Sequence, residues 1–367
     1  MSTARSTGLL AVAFAVVAVG ACSSSGAPAA TGDADAGDQG SSGGDASPSR
    51  TDSGAGTSGG ASSEGGGFDA APVGTAADAA GGACATRSGA ARGLVTRTLK
   101  VGGVDRHVAV YLPATLDARK PVPFVVAYHG WDASANDMHD ITQLTDLADK
   151  EGIAVAFPEG EAGYDSLLPP WNCGANVCPS LAIVTPVASG DDLGFLDAIL
   201  ADVRQDQCLD AAHLYVTGFS MGGYFTHHVG CMRADIRAVA PHSGGTHDLG
   251  ACPVARKPII MFHGDADDMI PVGCDDPKAT NTPLGVTASA TAWAKKNGCG
   301  ATTTSVAVQG GECRYYDGCP ADGQVALCVF HGMKHCWAGG PTSGGDGCPG
   351  FASATALQWE FYKKYAW

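Results

Sequence analysis

The sequence predicts an α/β fold, a mostly parallel sheet with helices on both faces, preceded by an export signal and a linker that cannot fold. Three observations carry this expectation. Apolar runs of strand length alternate with helix-length segments along residues 84–367, the pattern of a sheet buried on both sides. That stretch has the size of one large domain. A serine flanked by glycines stands between one of those runs and a helical segment.

In chain order, residues 1–22 come first. Arg5 gives a weakly basic start, and Gly8 to Val19 is an apolar run too short to span a bilayer comfortably. Val19-Gly20-Ala21-Cys22 resembles a bacterial lipobox, in which the cysteine is lipidated; an ordinary secretory signal is the other reading. One such lipid anchors a chain without making it span the membrane. Residues 23–83 are Gly, Ala, Ser and Asp with almost no large apolar side chains. They bury too little surface to offset chain entropy and read as a disordered linker. Asp33, Asp35, Asp38, Asp45, Asp52, Glu64, Asp69 and Asp78 face Arg50 alone there, so the linker holds about half of the net charge of −15. An acidic chain disfavours nucleic acid and anionic lipid surfaces as partners.

Within 84–367 the strand candidates are 106–113, 123–128, 152–157, 213–217, 237–240, 258–262 and 325–330. Helix candidates are 138–150, 192–204, 221–232 and 287–296. Residues 158–190, rich in Pro, Gly and Asn, predict a long surface loop. Thirteen of the 14 cysteines lie in this domain. In an exported chain most should be bridged, with at least one left over. Close pairs such as Cys173 with Cys178, or Cys336 with Cys348, are candidates, and the cysteines do not form two zinc knuckles.

Gly218-Phe219-Ser220-Met221-Gly222 fits G-x-S-x-G. With 52 glycines that pattern is cheap, and it recurs at Ser42 and Ser58 in the linker. Only Ser220 follows a β-branched run and precedes a helical one, the context of a nucleophile on a strained strand-to-helix turn. A serine nucleophile needs a base, and the base needs an orienting acid. In α/β-hydrolases these follow in the order Ser, Asp, His. Three aspartates compete after the 258–262 run, and the spacing H-G-x-x-D-x-x-x-P selects Asp267 over Asp265 and Asp268. His335, in the loop after the 325–330 run, is the candidate base; His227, His228, His242 and His247 are placed on a helix or in loops. The oxyanion hole requires two backbone N–H groups, assigned to Met221 and to Trp131 in Tyr128-His129-Gly130-Trp131. His129 is a candidate to contact substrate, with fixing of this loop by hydrogen bonding as the other reading.

Six stretches carry a resemblance: Ala127-Tyr-His-Gly-Trp131, Trp171-Asn-Cys-Gly174, Asp191-Asp-Leu-Gly-Phe195, Tyr215-Val-Thr-Gly-Phe-Ser-Met-Gly-Gly223, Phe262-His-Gly-Asp-Ala-Asp267 and His335-Cys-Trp-Ala-Gly-Gly340. From about residue 92 to 367 the chain resembles the secreted feruloyl esterase and polyhydroxybutyrate depolymerase-like carbohydrate esterases. The resemblance implies the α/β-hydrolase fold and a triad of Ser220, Asp267 and His335. It implies hydrolysis of feruloyl esters on xylan without metal or organic cofactor. Polyhydroxybutyrate or acetylxylan is the alternative substrate, and a surface lipoprotein that binds without catalysis is the alternative from another class. Trp171, Trp131 and Trp337 are candidates to line the substrate cleft, since aromatic faces suit ferulate and sugar alike; half-buried packing is the competing reading. The family commonly has threonine and proline where Cys336 and Ala338 stand.

Overall fold

The apolar runs of residues 84–367 assemble into one ten-stranded sheet in the computed structural model of the protein. The structure describes residues 84–365 except 86, 88, 162–169, 174–189, 247–248 and 271–284. The expected signal, Cys22 and the linker lie outside the described residues, as do His247 and Cys178.

The strands are β1 (Gly93–Val101), β2 (Val104–Leu112), β3 (Val122–Tyr128), β4 (Ala154–Pro158), β5 (Leu209–Phe219), β6 (Ala238–His242), β7 (Ile259–Gly264), β8 (Thr303–Val308), β9 (Gly311–Tyr316) and β10 (Val325–Phe330). They lie in the order β1-β2-β4-β3-β5-β6-β7-β10-β9-β8. The six central strands from β4 to β10 are parallel. Antiparallel pairs flank them on both sides. A second small sheet pairs β11 (Trp337–Ala338) with β12 (Gly347–Cys348).

The alternation of side chains along a strand divides the core into two layers. Phe124, Val126 and Tyr128 of β3 face one layer, completed by helices α3 (Asp192–Asp206), α4 (Met221–Met232) and α5 (Val286–Asn297). Val125 and Ala127 face the other, completed by α1 (Ala135–Thr142), α2 (Leu144–Glu151) and α6 (Ala354–Tyr362). Polar caps start three of these helices. Ser134 and Asp137 form a reciprocal capping box on α1, Asp191 accepts from Gly194 N–H on α3, and Ser353 accepts from Ala356 N–H on α6. Each cap contributes about 1 kcal/mol.

The expected single helix over 138–150 is two helices. Gln143 between them has φ 53°, and a left-handed residue breaks the intrahelical ladder. The expected surface loop is in part interior, since Trp171 and Cys173 are buried. Disulfides join Cys84–Cys208, Cys231–Cys252, Cys299–Cys319, Cys313–Cys328 and Cys336–Cys348. No cysteine is free among the described residues. Nor is any described helix long and apolar enough to cross a membrane.

Candidate active site

The site forms where the parallel strands end and their loops converge. Ser220 occupies the turn between β5 and α4 with φ 53° and ψ −116°, a region that costs a side-chain-bearing residue on the order of 1–3 kcal/mol. The surrounding contacts over-determine that turn. Ser220 N–H donates to His242 O at 2.9 Å, and Tyr224 N–H returns to Ser220 O at 3.1 Å. The flanking glycines are required by close backbone approach. A Cβ on Gly218 would stand 2.2 Å from Gly222 O, and one on Gly222 would stand 2.1 Å from Tyr128 O. Strand, helix and the loop after β3 therefore meet without room for a methyl group.

Gly130, second in the loop after β3, abuts the serine; a Cβ there would lie 3.1 Å from Ser220 Cβ. Half-buried Trp131 follows it. The loop is held from behind. His129 Nδ1–H donates to Gly130 O at 2.7 Å, and Nε2 accepts from Gly160 N–H at 3.0 Å. Trp171 Nε1–H donates to His129 O at 2.8 Å, with its ring stacked on Phe225 and edge-on to Tyr128. The expectation that His129 and Trp171 touch substrate is corrected: both are 1% exposed, and their polar atoms are consumed in bracing the loop. Trp337 is corrected likewise. It is 1% exposed, stacks on His242 at 4.6 Å, and donates to Thr355 Oγ at 3.1 Å.

Among the three competing aspartates, Asp267 is the one beside His335. His335 Nδ1 is 2.7 Å from Asp267 Oδ2, while Asp267 Oδ1 accepts the N–H groups of Met269 and Ile270 at 3.0 and 2.8 Å. Burial pushes the Asp267 carboxyl up, but the hydrogen bond and charge of His335, the Ile270 N–H and His263 hold it below the ordinary carboxylate value. Asp265 instead braces the turn after β10, binding His331 Nδ1 at 2.9 Å and Gly332 N–H at 2.6 Å. Asp268 lies at the surface, 3.9 Å from Lys334. The His335 ring rests on Phe219, centroids 4.9 Å apart, which brings it beside the Ser220 turn. No hydrogen bond joins Ser220 Oγ to His335 among the described residues; such bonds are often looser without substrate.

Three buried groups escape sequence reasoning. His263 Nε2 lies 3.4 Å from Asp267 Oδ2 and bonds Ile270 O at 2.6 Å. Its only signal is its place in the H-G-x-x-D motif. His242, expected in a loop, ends β6. Asp192 forms a buried ion pair with Arg106 at 2.7 Å and accepts from Asn172 N–H at 2.6 Å. Breaking one partner of such a pair costs about 3–5 kcal/mol, so the Asp191-Asp-Leu-Gly-Phe195 stretch anchors the segment that carries Trp171. Among the described residues no cluster of His, Cys, Asp and Glu could hold a metal ion.

No protein-family model matches the chain. It is 28% identical to feruloyl esterase B of Piromyces equi over 271 residues, 71% of this chain and 45% of that protein. It is 30% identical to a bifunctional acetylxylan esterase/xylanase of Neocallimastix patriciarum, over 46% of this chain and 22% of that one. A probable feruloyl esterase C of Aspergillus oryzae is 32% identical over 46% of this chain and 57% of its own length. The chain thus spans a fifth to somewhat over half of these curated relatives. Among solved structures, acetyl xylan esterase from Aspergillus awamori superposes with a TM-score of 0.52 at 13% identity, covering 74% of this chain and 99% of that one. That likeness concerns the fold.

Proposed function

We propose that this α/β-hydrolase, similar to feruloyl and acetylxylan esterases, is an exported serine esterase acting on hydroxycinnamoyl esters of plant cell-wall xylan. The observation that carries the reading is the 2.7 Å Asp267–His335 bond beside the strained Ser220 turn. His335 Nε2 takes the proton of Ser220 Oγ as the oxygen attacks the ester carbonyl. The N–H groups of Met221 and Trp131 stabilise the oxyanion. His335 then gives its proton to the leaving sugar hydroxyl, and water repeats the cycle on the acyl-enzyme to release the acid. Asp267 keeps the proton of His335 on Nδ1 and stabilises the imidazolium. No cofactor takes part in these steps.

Two of the relatives described are named for feruloyl esters, which favours the hydroxycinnamoyl group. The acetylxylan esterase/xylanase relative keeps acetylxylan as the second substrate. Five disulfides among the described residues support export. Lipidation of Cys22 would tether the domain to the cell envelope through the linker; Cys22→Ala should then release it into the medium, and retention of the variant on the envelope refutes the tether.

The test is release of ferulate from methyl ferulate and feruloylated arabinoxylan, with acetylxylan and hydroxybutyrate oligomers in parallel and Ser220→Ala as control. Ferulate release that depends on Ser220 is expected. Release of acetate or hydroxybutyrate alone moves the substrate, and no turnover of any ester rejects the esterase.

A further inference from the structure

His242 is wholly buried at the end of β6 and touches both halves of the candidate site. Its carbonyl accepts the Ser220 N–H at 2.9 Å. Its ring Nε2 accepts the Ala338 N–H at 3.1 Å. Ala338 lies three residues beyond His335 in the same loop, so one residue spans the nucleophile turn and the loop of the base. Because a backbone N–H donates to Nε2, that nitrogen carries no proton. The proton sits on Nδ1, 3.2 Å from Ser243 Oγ. The ring is clamped between Trp337 at 4.6 Å and Phe262 at 5.7 Å, with Phe219 edge-on at 5.7 Å. Burial, reinforced by His263 and His335, pushes its pKa well below the usual histidine value. It therefore stays a neutral acceptor while His335 charges during turnover.

We infer that His242 is a positioning residue that sets the distance between Ser220 and His335 by tying the His335 loop to the strand end that holds the Ser220 amide. The inference rests on the esterase reading of the site. Other residues support the loop differently. Trp337 is anchored through Thr355 to the carbonyl of Thr142, and Cys336 is bridged to Cys348. Neither contact reaches the nucleophile turn.

The test pairs two substitutions in the full chain. His242→Phe keeps the aromatic clamp and removes the acceptor. His242→Gln places a carbonyl oxygen near the position of Nε2. Two readouts separate the inference from the esterase reading: amide exchange at Ala338, which reports the bond itself, and kcat and KM on a short p-nitrophenyl ester. With Phe, Ala338 exchange should accelerate and kcat should fall at least about tenfold with KM nearly unchanged, as a small misplacement of catalytic groups does. Gln should restore most of both. Unchanged Ala338 exchange and kcat in the Phe variant, or equal losses in Phe and Gln variants with the same melting temperature, overturn the inference. A wild-type chain that turns over no ester rejects the esterase reading instead, and the exchange data still judge the tie.

Discussion

Ser220 sits at a backbone conformation that side chains rarely adopt, and the glycines on either side of it are there because neighbouring carbonyls leave no space. Gly222→Ala tests that cause. Its methyl would have to displace Tyr128 O and His129 O, so the variant should lose about 3 kcal/mol or more through overpacking. The measurement is denaturant unfolding; a loss below about 1 kcal/mol contradicts the close approach. Asp267→Asn keeps the size of the side chain and removes its charge. It should lower kcat about 10³–10⁴-fold with little change in KM, because an amide there favours the wrong tautomer of the base. Asp267 is held below its ordinary value, so its ionised partnership with His335 is complete above the carboxylate range and is lost only as pH falls through that lowered value.

At this scale the sequence was informative for some residues and silent for others. Ser220, Asp267 and His335 could be singled out as candidates because each follows an apolar strand run and stands among turn-forming glycines. Nothing local marks His242, whose ring partner Ala338 is distant in the chain, and His263 is marked only by its place in the H-G-x-x-D motif. Trp171 and Trp337 illustrate the same limit. An indole is equally suited to a sugar and to a core, and only packing shows that both are interior.

At the scale of elements, the strands that read clearly are those buried on both faces, such as β3, β7 and β10. The edge strands β1 and β8, and β9 beside β8, carry no continuous apolar run; β8 is exposed almost throughout. The break between α1 and α2 falls at Gln143, a residue type that gives no warning of a left-handed conformation. One element has a direct bearing on His335. The Cys336–Cys348 bridge closes the loop that begins just after His335 and holds β11 against β12. Replacing both cysteines by serine should cost about 2–4 kcal/mol, a fall in Tm on the order of 10 °C by calorimetry. It should also reduce kcat more than KM, since the loop adjoins His335, the proposed base. Unchanged kcat in the folded double variant contradicts that coupling.

For the whole molecule, pH dependence follows from buried imidazoles. His227, His242 and His263 are fully buried, and burial pushes all three down, His227 to about 3. The unfolded chain binds protons at these residues below about pH 6.5, whereas the native state does not. Stability should therefore be complete above about pH 7 and be lost as pH falls from there toward the lowered folded values. Each ring contributes up to about 1.4 kcal/mol per pH unit. Thermal melts across pH 4 to 8 check this, and a Tm that holds level down to about pH 4.5 would contradict it.

The central claim is that Ser220 is a nucleophile activated by His335. A fluorophosphonate probe followed by peptide mass spectrometry tests it most directly. One adduct is expected, on Ser220, absent from Ser220→Ala and formed far more slowly in His335→Gln. A native chain that takes no label, or takes it on another residue, rules out Ser220 as the activated nucleophile.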